Sequence, residues 1–211
     1  MLRSFLYSSI YFKKEFSSSL ENNIDHTNIF IILLDGDFFM PKYKQYDEQV
    51  SDGVNLLISI LVRYPEIGRI GFDPQSNSLK LTFLLSTIPS NLDFSNIKNV
   101  LLNSLIAYTT LEDVSLSTFD VQLDTYDQVA MLSIYRDVHT ISKGEIALLI
   151  ALLRGKFKNH LITDFNDSLL EEDLLIQEEV IEDMLTNIKK HHTENRLIGI
   201  REDGRVLVFN K

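Results

Sequence analysis

The sequence predicts an α+β protein with a ferredoxin-like βαββαβ core, and three observations carry that expectation. An unbroken apolar run, Ile29-Phe30-Ile31-Ile32-Leu33-Leu34, stands ahead of a long amphipathic helical stripe. A hairpin pattern follows the stripe, and helix and hairpin then recur before residue 141. Strand, helix, two strands and helix in that order are the sequence mark of the ferredoxin-like sandwich, here with one added hairpin strand. The core is expected over 29–141. Residues 1–28 form an aromatic segment packed on it, and 142–211 a helix-helix-hairpin unit packed against it.

Taken in order, Phe5, Tyr7, Tyr11, Phe12 and Phe16 mark a strand or short helix, and the polar stretch 17–28 a loop. The β-branched run 29–34 reads as the central strand, buried on both faces. Over 43–64 the residues Val50, Val54, Leu57, Ile58, Leu61 and Val62 recur at spacings of three and four, one face of a helix that Pro65 and Gly68 end. Residues 69–72 and 79–85 form a hairpin around Asp73-Pro74-Gln75-Ser76-Asn77-Ser78.

Asp93 has the chemistry of an N-cap for a second helix with the stripe Ile97, Val100, Leu101, Leu105 and Tyr108. A second hairpin spans 114–123 and 128–136. Ser142 caps a third helix whose run 146–153 is apolar nearly all round, with Gly155 closing it. Leu161-Ile162-Thr163 reads as a short strand. Ser168 then opens a fourth helix carrying Leu174, Leu175, Val180, Ile181, Leu185 and Ile188, with acids at its start and Lys189-Lys190 at its end, as the helix dipole favours. A last hairpin turns at Glu202-Asp203-Gly204.

Composition narrows the function classes. Hydrophobic residues at 45% and charged ones at 24% are those of a folded globular chain. No run approaches the roughly 20 apolar residues that span a bilayer. Lys13, Lys14 and Glu15 break the first apolar stretch and no small-residue cleavage site follows, so the expectation is a cytoplasmic protein without a signal peptide. With no cysteine, disulfides, thiolate nucleophiles and Cys-based zinc sites are excluded. The net charge of −10 speaks against nucleic acid as a partner. Residues 45–141 hold five basic against twelve acidic residues, so the middle of the chain favours a basic protein or a cation over a polyanion.

Three groups of residues have chemistry to offer. Asp35, Asp37 and Asp73 stand at the end of the first strand and the tip of the first hairpin, adjacent in a ferredoxin-like sheet. Carboxylates brought together there would hold Mg²⁺ against a substrate phosphate. The stretch Leu34-Asp35-Gly36-Asp37-Phe38-Phe39 resembles the first metal-binding strand of diguanylate cyclases, which implies a palm-type phosphoryl or nucleotidyl transferase, or a nucleotide sensor of that shape. The chain departs from that family at the hairpin, where Phe72-Asp73-Pro74-Gln75 has neither the paired glycines nor a second acid. Arg201 and Arg205 flank the last turn, with Arg196 nearby, as a small anion site. His191-His192 lacks a partner four residues on and reads as favourable charge at a helix C-terminus. His139, near Asp137 and Ser142, lacks a nucleophile elbow. The 142–211 unit is similar to a winged helix in its order of elements, but its acidic helix is unsuited to DNA.

The expected function is a non-catalytic regulatory or assembly module. It would bind a protein partner or small ligand, need no cofactor and contact neither nucleic acid nor membrane. Its exposed strand edges suit homo-oligomerisation. The alternative is the Mg²⁺-dependent transferase at Asp35, Asp37 and Asp73.

Overall fold

The computed structural model describes residues 29–33, 51–86, 93–126, 129–164, 171–190, 195–202 and 204–210. The expected aromatic segment at 1–28, the Ser168 cap and the His191-His192 pair lie outside them.

Local chemistry sets the helix starts. Ser51 accepts the Val54 N–H at 3.3 Å to begin α1 (Asp52–Arg63), and Asp93 accepts the Asn96 N–H at 3.1 Å to begin α2 (Phe94–Leu111). Ser142 does the same for Glu145 N–H, at 3.1 Å, ahead of α3 (Lys143–Phe157). Each side chain satisfies an N–H that the first helical turn leaves without a partner. Gly155 does not close α3. The helix continues to Phe157 and ends at Lys158, which takes a positive φ of 47° and donates its N–H to Arg154 O. The fourth helix, α4, spans Glu171–Lys190.

Seven strands form one sheet: β1 (Ile29–Leu33), β2 (Ile67–Asp73), β3 (Ser78–Leu85), β4 (Phe119–Tyr126), β5 (Val129–Asp137), β6 (Leu197–Glu202) and β7 (Arg205–Asn210). Their order across the sheet is β1-β7-β6-β2-β3-β5-β4, with every neighbouring pair antiparallel. The α+β class holds, and the element order over 29–137 is the expected one, but the ferredoxin-like placement of the first strand does not appear. That fold runs β1 and β2 parallel with β3 between them. Here the C-terminal hairpin β6–β7 lies between β1 and β2, three antiparallel steps turn those two strands in opposite directions, and β1 is an edge strand instead of the centre. A run of apolar residues specifies a strand but not its neighbour. The partner that β1 takes, Val206-Leu207-Val208-Phe209 in β7, is a second such run far along the chain and in register with it.

The helices cover one face of this sheet. Ile70, Phe72, Leu79, Leu81, Phe83, Leu132, Ile134, Val206 and Val208 point into the core that the helices close. α1 sits on β2, β6 and β7 and lies under α4. It is therefore buried on nearly every side, from Val54 through Leu56, Leu57, Ile58, Ile60, Leu61 and Val62. Burial of such side chains contributes about 1.5–3 kcal/mol apiece, so this helix anchors the fold. Its approach to the sheet depends on Gly199, where an added Cβ would stand 2.8 Å from Leu61 Cδ1 and 3.0 Å from Ile70 Cγ2. On the other face of the sheet Leu84, Ile200 and Phe209 are also buried, apart from the main core. Leu161 adds a single antiparallel bridge to Leu85, which is what becomes of the expected strand at 161–163.

Candidate functional site

Asp73 closes its own turn by accepting the Gln75 N–H at 3.0 Å and pairs with Arg196 at 3.3 Å. Asp35 and Asp37 lie outside the described residues. The last residue of β1, Leu33, is opposite Arg205, which is opposite Glu202, whereas Asp73 continues β2 beyond the Phe72–Leu197 pair. Three strand spacings and six residues of rise separate those strand ends by roughly 25 Å. The first strand and the first hairpin are thus not neighbours among the described strands. Among the described residues no group of three His, Asp or Glu side chains stands close enough to hold a metal ion.

Arg201 and Arg205 fall on opposite faces of their hairpin, because Arg201 pairs with Val206 and Arg205 with Glu202. That register does not bring the two guanidinium groups together on one face. Arg205 is exposed, while Arg201 is buried beneath the end of α1. Its guanidinium donates to the carbonyls of Leu61 and Val62 and, at 3.3 Å, to Asp164 O. These are last-turn carbonyls with no helical partner, so the side chain is a C-cap supplied from the sheet. Burial lowers the Arg201 pKa from its ordinary value, against the opposing charges of Asp164 and Glu66.

Beside this cap, Glu66 is buried and pairs with Arg154 of α3 through one carboxylate oxygen. Its other oxygen, Arg201 Nε and the Tyr64 hydroxyl are buried without a hydrogen-bond partner among the described residues. Burial pushes the Tyr64 phenol up to about 12.

A second buried charge is fully matched. Arg136 lies in the core-facing row of β5 with Leu132 and Ile134 and has no exposed surface. Its Nε and Nη2 grip the Glu145 carboxylate, the latter at 3.0 Å. Nη1 reaches Asp137 Oδ2 at 2.6 Å and Thr118 O at 2.5 Å, and Nη2 also reaches Thr140 Oγ1 at 3.0 Å. Five donors meet five acceptors, which is what a desolvated guanidinium needs. The cluster ties β5, the approach to β4 and the start of α3 together. It is closed on itself and leaves no atom for a ligand.

The open feature lies between α2 and α3. These helices run antiparallel, since Tyr108 OH near the end of α2 reaches Ser142 Oγ at the start of α3, at 3.1 Å. Where the start of α2 passes the end of α3 they leave a groove of about 290 Å³ lined by Ile97, Val100, Leu101, Ala151, Leu152 and Lys156, among others. Val100 was expected in the core stripe of α2, yet it is 41% exposed, and Ile106, Leu111 and Val114 are exposed beyond it. The core stripe is instead Ile97, Leu101, Leu105 and Thr109. Lys156 lines the groove and is exposed, and Lys158 is exposed just past the end of α3.

No protein-family model, curated protein or solved structure matches this chain. Its chemistry therefore has to be read from its own surfaces. The groove is lined by carbon and bordered by cations, and it presents no nucleophile, paired carboxylate or imidazole. At about 290 Å³ it lies at the small end of ligand pockets, which run roughly 300–1,000 Å³. It suits one or two aliphatic side chains better than a cofactor. The sequence carried a signal for it: α2 has more apolar residues than one core stripe uses, and α3 places Ala147 and Ala151 on its exposed side.

Proposed function

We propose that the chain is a non-catalytic regulatory or assembly module, acting in the cytoplasm, that binds a helix of a protein partner in the α2–α3 groove. The observation that carries this reading is the groove itself, apolar along its floor, with Val100 left 41% exposed in its lining. A helix laid in such a groove inserts residues from successive turns and gains the burial that solvent now denies Val100. The cations of Lys156 and Lys158 select for acids flanking those anchors. The charge of the rest of the chain, at −10 overall, makes this corner locally distinct.

The test uses two labelled helical peptides with the same Leu and Ile anchors, one with acidic flanks and one with basic flanks. Fluorescence anisotropy should rise for the acidic peptide only, and Val100→Asp or Ala151→Asp should abolish the rise. Equal binding of both peptides, or binding that ignores these substitutions, would overturn the reading.

A further inference from the structure

The surface of α4 offers the complement of the groove. Its buried side, Gln177, Ile181, Leu185 and Ile188, packs inward, and the helix lies along α1. Leu175 and Ile176 face away from that contact and are 58% and 54% exposed. Around them on the same outward arc stand Glu172, Glu179, Glu182 and Asp183, all exposed. Two neighbouring aliphatic residues at such exposure are costly on a helix whose polar face is otherwise complete. They have the anchor chemistry that the groove accepts, and their acidic surround matches Lys156 in its lining and Lys158 just beyond α3.

We propose that the groove of one copy receives Leu175 and Ile176 of a second copy, so that the chain assembles with itself through α4 and the α2–α3 groove. This inference rests on the groove reading above and names its occupant. The same molecule cannot fill its own groove while α4 is held along α1. Because the knob and the groove are different surfaces, each copy presents one of each and association proceeds head to tail until it closes. Association through strand edges is a poorer route at β4. That strand carries Asp120 and Asp124 along its edge, and Lys98 covers its Val121 carbonyl at 3.5 Å.

Sedimentation velocity on the full chain from 1 to 200 µM tests this. The weight-average mass should climb with concentration. The double substitution Leu175→Glu and Ile176→Glu should hold it at one copy, with the circular dichroism spectrum and melting temperature unchanged. Lys156→Glu should weaken association by roughly tenfold, and adding Glu172→Lys and Glu179→Lys should restore it. A chain that stays monomeric throughout, or associates equally with the double substitution, overturns the inference. If the monomeric chain still binds the acidic peptide, the groove reading stands and only self-assembly falls. Association that needs Leu175 and Ile176 but ignores Val100→Asp overturns both, because the anchors would then sit elsewhere.

Discussion

Arg136 and Glu145 face each other across the seam between β5 and α3, with the carboxylate gripped by two nitrogens of a guanidinium that water does not reach. A buried pair of this kind owes its existence to mutual neutralisation, so removing one member costs far more than removing both. Arg136→Met and Glu145→Leu should each destabilise the chain by about 3–5 kcal/mol, while the double substitution should recover most of that loss. Urea unfolding of the three variants checks it; additive losses would refute the coupling.

The same cluster makes the fold sensitive to acid. Burial pushes the Asp137 carboxyl up, but Thr140, Arg136 and the N–H groups of Thr118 and Thr140 outweigh it and hold the pKa below the usual range. A carboxyl whose pKa is lower folded than unfolded stabilises the protein above its unfolded value, about 4, and that contribution is lost as pH falls through the folded value. Stability measured from pH 6 downward should fall more steeply for the parent chain than for Asp137→Asn, which starts lower and stays flatter.

At the alkaline end the relevant group is Tyr64, whose buried hydroxyl has no partner among the described residues and whose pKa stands at about 12. A raised pKa stabilises the fold below the unfolded value of 10.0 and loses that contribution as pH climbs towards 12. Tyr64→Phe should therefore flatten the alkaline limb. At pH 7 it should raise stability by up to about 1 kcal/mol, since it deletes an unsatisfied buried polar group. A loss of stability at pH 7 would mean that the hydroxyl has an internal partner such as a water molecule.

The two hairpin arginines should behave oppositely. Arg201→Met strips the Leu61 and Val62 carbonyls of their donor and should cost about 2–3 kcal/mol. Arg205→Met, on the exposed face, should stay within about 0.5 kcal/mol of the parent. Thermal melts of both variants, run together, separate a buried cap from a solvated charge.

Gly199→Ala tests the close approach of α1. The added methyl would press on Leu61 and Ile70, and overpacking of a filled core costs about 1–3 kcal/mol. The loss should shrink when Leu61→Val is added, because that side chain supplies the nearest atom. A loss unchanged by that second substitution would place the strain elsewhere.

These residues show what was legible in the sequence. Ser142 and Asp93 announced their helices because capping involves only the next three residues. The strands announced themselves by composition. The burial of Arg136 in the row of Leu132 and Ile134 went unread, because its partner Glu145 comes from the next helix. What stayed hidden depended on distance. The pairing of Ile31 with Leu207 is a choice among several equally apolar strands, and sequence order alone selected the wrong neighbour for β1. The different faces of Arg201 and Arg205 were hidden for a related reason, since the two sit on the two arms of one hairpin and only the register assigns their faces. Val100 was assigned to the stripe of its helix by spacing that is correct for a helix but silent about how wide a neighbour covers it.

The insertion of β6–β7 between β1 and β2 has a consequence for synthesis. The floor beneath α1 is completed by strands that leave the ribosome more than 130 residues after that helix does. Until then a helix rich in leucine and isoleucine has half its bed missing, and the sheet is divided into two unjoined pieces. The last hairpin must slot in after both sides exist, a late, long-range step of the kind that slows folding. During that wait the nascent chain exposes its stickiest helix, so newborn molecules should depend on chaperone shelter far more than finished ones do.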